Sequence, residues 1–528
     1  MSTRPAAIFL LLLATALIGA PALVAFYRLI AAPSTPLAAD LPTFFSLSAL
    51  LTSLLWAALI SAGAVLLAWP GAWLLRTRGY TLAPLLFAPL LLPNYLAFGA
   101  FNLLRAPGTT LGDLAERLGR ESPWIPVALG KAIAVGSIMI WSAPVAMLIL
   151  ALHLRRIDDS TLEQLALDAG PQSDGAHNDG FVRTKWTQFL GELSLARDGL
   201  RGSFLLVLAL TLGSVIPLHV ARVNTLTIRV WLAMDLLPQD QQWRAWILTL
   251  PLIAIALVAA FLGVRGIRLD APESQTRLSP RVASRGVWFG ALAVAALGAI
   301  VPGALLALHL AREGGLVEFI RNYREPLLTS GGIALIVAAA SAALMLLAWI
   351  GTLAGGVSKR LVQVSLALFA VGAIMPGVML GLWIAHTVRT LVPALEDSTL
   401  VLVLAHLARF GVVPVALGCL LASIESRDAR DQRTLDGVRS LGALWAAAIT
   451  GNARALIGAA IIGGVLSLHE IEATVTLQPP GLDTLARAVL NQLHFMRTQE
   501  FSAAGLILLG IGLLGGAVCS AVLVKRER

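Results

Sequence analysis

The chain has 528 residues, 57% of them hydrophobic and only 13% charged, with a mean hydropathy of +0.81. Soluble globular chains carry roughly 25% charged residues, so 30 acidic and 39 basic side chains cannot cover a soluble surface of this size, and soluble, disordered and fibrous classes are excluded. A net charge of +9 would suggest nucleic acid in a soluble protein; here the basic residues lie between apolar runs, the pattern of Lys and Arg held on one membrane face, and no nucleic-acid partner is expected.

Taken in chain order, twelve apolar stretches of membrane-crossing length fall at 7–29, 46–75, 82–104, 124–152, 202–221, 244–266, 286–311, 328–356, 361–386, 398–424, 454–475 and 500–523. The first is too long for a signal-peptide core and is read as a retained span. The third is broken by Pro89 and Pro93, and the eleventh ends at the pair Glu470 and Glu472. Lipid offers backbone groups no water, so the predicted fold is an all-α integral membrane protein. With the N-terminus inside, roughly 24 Lys and Arg fall on the cytoplasmic side and roughly 13 outside. Both termini are therefore expected in the cytoplasm. Cys419 and Cys519 lie inside apolar runs and form neither a disulfide framework nor a metal motif.

The polar, basic segment 267–285, with Pro272 and Pro280, reads as a cytoplasmic linker between two six-span halves, 1–266 and 286–528. Landmarks recur in the same order in both. Pro93 and Gly99 in span 3 answer to Pro376 and Gly381 in span 9; Pro144 in span 4 answers to Pro414 in span 10. A long polar loop then reaches Gly170 or Gly437. After the next span, Thr225-Leu226 answers to Thr484-Leu485. Six spans per half keep both halves in one orientation, giving two parallel six-helix repeats.

The two long inside loops, 153–201 and 425–453, are the informative segments. In the first, Leu162, Leu165, Ala166 and Ala169 form an apolar stripe before Gly170, and Val182, Trp186, Phe189, Leu190 and Leu193 form another. In the second, Leu435, Val438, Leu441, Leu444 and Trp445 recur at helical spacing around Gly437. Such helices either lie on the membrane surface or dock a cytoplasmic partner, and matching placement in two halves points to docking. Four charged residues also fall in or at the ends of spans: Lys131, Arg409, Glu470 and Glu472. Arg409 reads as a structural bond with carbonyls or a carboxylate, or as part of a translocation path. Lys131, near a span end, also has the option of reaching to the interface. Glu470 and Glu472 read either as facing a cavity between the halves or as interfacial carboxylates in contact with water. No phosphate-binding loop, no His-Glu-x-x-His and no catalytic constellation is present, so any nucleotide hydrolysis belongs to another chain.

The segments Asp431–Gly437 and Gln164–Gly170 resemble the Glu-Ala-Ala-x-x-x-Gly loop of type I ATP-binding-cassette importers. Asp431 stands in the place of the glutamate in one loop and Gln164, beside Glu163, in the other. The trailing Leu-Pro of that motif is absent, and the first loop carries extra residues around Pro171–Asp179. The stretch around Arg409 and Pro414, and the stretch from Glu470 to Thr484, resemble the segments flanking that loop. The chain is similar to the fused two-half permeases of the iron(III)/thiamine/2-aminoethylphosphonate kind. The resemblance implies an inner-membrane permease without enzymatic activity or cofactor. Its implied partners are a dimer of ATPase subunits, docked through Glu163, Gln164, Gly170, Asp431 and Gly437, and an extracytoplasmic substrate-binding protein. Iron(III) is the nominal substrate. The alternative is a secondary transporter of the major-facilitator kind, also twelve spans in two parallel halves, but its basic loop between spans 2 and 3 would here be only Arg76 to Gly79. A membrane-embedded enzyme would need a polar catalytic cluster that the sequence lacks.

Overall fold

Long apolar runs without strand-like alternation favour helices, which satisfy their own backbone. Every regular element among the described residues of the computed structural model is helical. The described residues are 4–31, 46–78, 82–168, 178–214, 216–237, 248–266, 284–310, 315–425, 428, 432, 435, 441–495 and 497–524. The linker 267–285 lies almost wholly outside them, as do Gly170, Asp431 and Gly437.

The first part of the chain forms α1 (Arg4–Ala14), α2 (Ala20–Ala31), α3 (Leu47–Arg78), α4 (Asn94–Asn102), α5 (Thr110–Glu121) and α6 (Trp124–Leu154). It continues through α7 (Asp159–Asp168), α8 (Asn178–Leu195), α9 (Arg197–Thr211), α10 (Leu226–Leu236) and α11 (Leu250–Gly266). The second part forms α12 (Arg285–Ala295), α13 (Val301–Leu310), α14 (Arg324–Leu353), α15 (Gly356–Ile374), α16 (Gly377–Leu391) and α17 (Thr399–Phe410). It ends with α18 (Val412–Ile424), α19 (Leu441–His469), α20 (Glu472–Leu477), α21 (Leu485–His494) and α22 (Thr498–Val524).

Eight of these helical stretches are long and apolar enough to cross a membrane, or nine if α17 and α18, bent by 49° at Gly411, form one span. That is compatible with a multi-pass membrane protein. The difference from twelve apolar stretches has a local cause. Stretch 82–104 is cut into short pieces by Pro89 and Pro93, and stretch 398–424 is bent at Gly411 between α17 and α18. The fifth stretch is divided between α9, ending at Thr211, and a short helix Ile216–Val220, and α11 is a shorter apolar helix. Outward faces carry Leu55, Leu66, Phe289 and Leu335 exposed, an apolar surface suited to lipid rather than water.

The first helix of each part widens into one π turn, at Thr15–Gly19 and at Ala296–Ile300. The Ala20 N–H bonds the Thr15 carbonyl and the Val301 N–H bonds the Ala296 carbonyl, each five residues back. Pro21 and Pro302 follow directly; a proline has no N–H to give, and its ring crowds the turn before it, which favours the wider loop. Buried positions match as well: Leu10, Ala14, Leu17, Ile18 and Pro21 in one, Ala291, Ala295, Gly298, Ala299 and Pro302 in the other.

Each first helix seats on the other part of the chain. Helix α1 packs on α14 and α15, while α12 packs on α3 and α13 on α4 and α22. Ile18 meets Gly372 of α15; Gly298 meets Pro89 and Ile140. A second matched pair stands where short helices begin. Thr225 accepts from the Ile228 N–H at the start of α10, and Thr484 accepts from the Arg487 N–H at the start of α21. These are ordinary threonine N-caps. The next backbone N–H in each case goes to a serine on a long helix: Leu226 N–H to Ser53 Oγ of α3 at 2.9 Å, and Leu485 N–H to Ser330 Oγ of α14 at 2.9 Å.

Candidate functional site

Two helix breaks in the second part meet, and the charges predicted at 409, 470 and 472 cap them. Pro376 pushes Met375 into extended backbone (ψ 137°), which ends α15. The chain restarts at Gly377. A second break lies at Glu470-Ile471, between α19 and α20. Broken helices leave unpaired N–H and C=O groups that need partners wherever water is scarce.

Arg409, in the last turn of α17, supplies one partner by donating through Nη1 to the Met375 carbonyl. Its Nε lies 3.3 Å from Glu470 Oε2 and its Nη2 lies 3.9 Å from Glu472 Oε2. The carboxylates cap the restarts: Glu472 Oε2 accepts from the Gly377 N–H at 3.0 Å, and Glu470 Oε1 from the Ala473 N–H at 2.9 Å. Side-chain exposure is 18% for Arg409, 6% for Glu470 and 10% for Glu472, so this is a largely buried ion cluster. Gly377 leaves the room it needs, since a Cβ there would lie 2.7 Å from Glu472 Cβ.

The same face of α17, three residues earlier, carries His406, which the sequence reading did not single out. Its Nδ1 is 2.7 Å from Ser467 Oγ on α19 and its Nε2 is 2.9 Å from Thr474 Oγ1 on α20. The imidazole thus spans the break, one ring nitrogen on each side of it. Thr474 Oγ1 in turn donates to the Glu470 carbonyl at 2.6 Å. The signal available in the sequence was the spacing of His406 and Arg409, one helical turn apart.

The first part of the chain reaches this place. Gly213, just past α9, lies against Pro376, where an added Cβ would sit 3.2 Å from the proline Cα. Tyr95 and Leu96 of α4 share an apolar cluster with Ile471, Leu485 and Phe501. The break at Pro93 is tied more lightly, by Asn94 Nδ2 donating to Ser214 Oγ at 3.3 Å.

Lys131 is not brought to the cluster. It sits in the second turn of α6, half-buried, with no ion pair among the described residues. Of the five loop residues, Glu163 and Gln164 are described; both lie exposed on α7. Helix α7 and helix α8 pack together, Leu165 filling the space over Gly191. Phe189 of α8 meets Trp69 of α3 edge to face at 6.0 Å, while Trp186 and Leu190 remain 60% and 48% exposed. In the second loop the described helix α19 begins at Leu441 and kinks at Asn452 (φ −117°).

The ion cluster fixes the relative position of three chain segments, 375–377, 409 and 470–473. No group of three or more metal-ligating side chains occurs among the described residues. Comparison with protein-family models, with curated proteins and with solved structures finds no match to this chain.

Proposed function

We propose that this chain is the membrane subunit of an ATP-binding-cassette importer, carrying the translocation path while a separate ATPase dimer supplies the energy. The observation that carries the reading is the helix pair α7–α8. It is anchored to α3, yet keeps Trp186 and Leu190 of α8, and Glu163 and Gln164 of α7, exposed. An apolar patch held out from a rigid base is what a docking partner needs. The matched π turns, the serine-bound turns at Leu226 and Leu485, and the breaks at Pro93 and Pro376 support two parallel six-span repeats over 1–266 and 286–528. Broken helices meeting between two halves are the usual surroundings of a transport path. In this reading the chain lies in the inner membrane with both termini and 267–285 in the cytoplasm. A binding protein outside delivers the substrate, nominally iron(III).

The test is Gly437→Pro, which removes a backbone donor and pushes the preceding residue away from helix. The ATPase should cease to co-purify, or its activity should uncouple from transport, with the permease still in the membrane. Wild-type coupling in that variant would remove the importer reading's mechanical basis.

A second reading is favoured by the ion cluster. Arg409 with Glu470 and Glu472 is the kind of buried ionisable group that proton-driven secondary transporters use. Proteoliposomes separate the two: uptake that follows an imposed proton gradient without ATP supports the secondary transporter, and uptake that needs ATP and the ATPase supports the importer.

A further inference from the structure

Helix α3 carries a buried arginine whose position neither the ion cluster nor the docking patch explains. Arg76, two residues before the end of α3, is only 3% exposed. Its Nη2 lies 2.9 Å from Asp159 Oδ1, the first residue of α7, and donates to the Ile157 carbonyl at 2.6 Å. The guanidinium also lies over the Trp73 ring, 5.1 Å from its centroid. The grip is returned, because Arg155 Nη2 donates to the Leu75 carbonyl at 2.9 Å. With Trp69 against Phe189 and Leu162 buried, α7–α8 is fastened to the end of α3 at three levels.

The far end of the same helix is fastened too. Ser53 accepts the Leu226 N–H at the start of α10 and donates to the Ala49 carbonyl at 2.8 Å. Ser53 and Arg76 are 23 residues apart on one unbroken helix, about 35 Å at 1.5 Å per residue, which is roughly the thickness of a bilayer. Pro70 lies between them without interrupting the helix.

We propose that Arg76 is a positioning residue that gears α7–α8 to α3, so that load on the docking helices crosses the membrane along α3 and reaches α10 through Ser53. The gearing rests on the importer reading for its source of load, but the grip of Arg76 on α7 does not. Lysine in place of Arg76 keeps the charge and loses the planar guanidinium, which lies over the Trp73 ring while its one nitrogen Nη2 bonds both the Asp159 carboxylate and the Ile157 carbonyl. A chain of contacts becomes a transmission only if both ends respond to one event.

The experiment is hydrogen exchange, read in two arms. In the purified chain alone, Arg76→Lys should raise amide exchange in 159–165 about tenfold, through easier local opening of α7. Asp159→Asn, which leaves the buried arginine untouched, should do the same, and Asp159→Glu should largely restore protection. Unchanged exchange in both Arg76→Lys and Asp159→Asn would overturn the grip. In the complex with its ATPase, trapped by ATP and vanadate, wild type should show a nucleotide-dependent change at 226–230. Arg76→Lys should lose that change while the ATPase still co-purifies. If the change persists in Arg76→Lys, or Ser53→Ala leaves it intact, the gearing is wrong. If no ATPase binds wild type, the importer reading fails instead and the gearing falls with it; the first arm still decides whether Arg76 holds α7.

Discussion

The two helix breaks at Pro93 and Pro376 meet the same difficulty with different chemistry. Beside Pro93, Asn94 and Ser214 share one neutral hydrogen bond of 3.3 Å. Beside Pro376, Gly377 and Met375 are held by Glu472 and Arg409, with Glu470 joining them. Under the proposed repeat, the equivalent places differ accordingly: Met139 stands five residues before Pro144, where Arg409 stands five before Pro414. An ion cluster fixes geometry more strictly than a neutral pair, because removing one member strands the others. Of the two, the break at Pro376 is therefore the stiffer joint and the break at Pro93 the softer.

Substitutions can break that contrast, the largest effect first. Arg409→Ala leaves two buried carboxylates without their cation and should cost about 3–5 kcal/mol of stability, measured as thermal unfolding in detergent. A triple change, Arg409→Met with Glu470→Gln and Glu472→Gln, should recover more than half of the loss. An Arg409→Ala protein that unfolds at the wild-type temperature yet transports nothing would instead assign Arg409 to the path. His406→Ala removes both bonds across the α19–α20 break and should cost about 1–3 kcal/mol in the same melt. Ser53→Ala and Ser330→Ala should each cost about 1 kcal/mol, and nearly equally; a wide disparity would undo their equivalence. Asn94→Ala should be the mildest, about 0.5–1 kcal/mol. If it matches Arg409→Ala, the softer-joint reading is wrong.

Much of the helical skeleton was legible because apolar runs of span length have few alternatives in lipid. Prolines were the ambiguous letters. Pro70 and Pro144 sit inside continuous helices, whereas Pro93 and Pro376 open breaks, although all four interrupt apolar runs. At Pro376 the outcome is decided by partners far along the chain: Arg409 takes the Met375 carbonyl, and Glu472, 95 residues away, takes the Gly377 N–H. A local reading has no access to such pairs. Arg409 stood out in the sequence as a charge within a span, but Glu470 and Glu472 at a span end read equally well as interfacial carboxylates in water, and only the structure shows them buried as its partners. Arg76 was missed for a different reason. At the end of a span it has the address of an ordinary interfacial cation, and only burial against Asp159 sets it apart.

The seating of each first helix on the opposite part of the chain has a consequence for biosynthesis. Helix α1 leaves the ribosome well before its seat on α14 and α15, which begins at Arg324. Until that seat is made, Leu10 and Ala14 of α1 and Ile18 of the π turn, all buried in the folded chain, lack the partners that cover them. Helix α12, in contrast, emerges to find α3 already made. Assembly is thus asymmetric in time even where the contacts match in space, and closure of the molecule is deferred until its second part arrives. Such long-range contacts are slow to form. The interval before α14 and α15 emerge is when α1 is open to quality control.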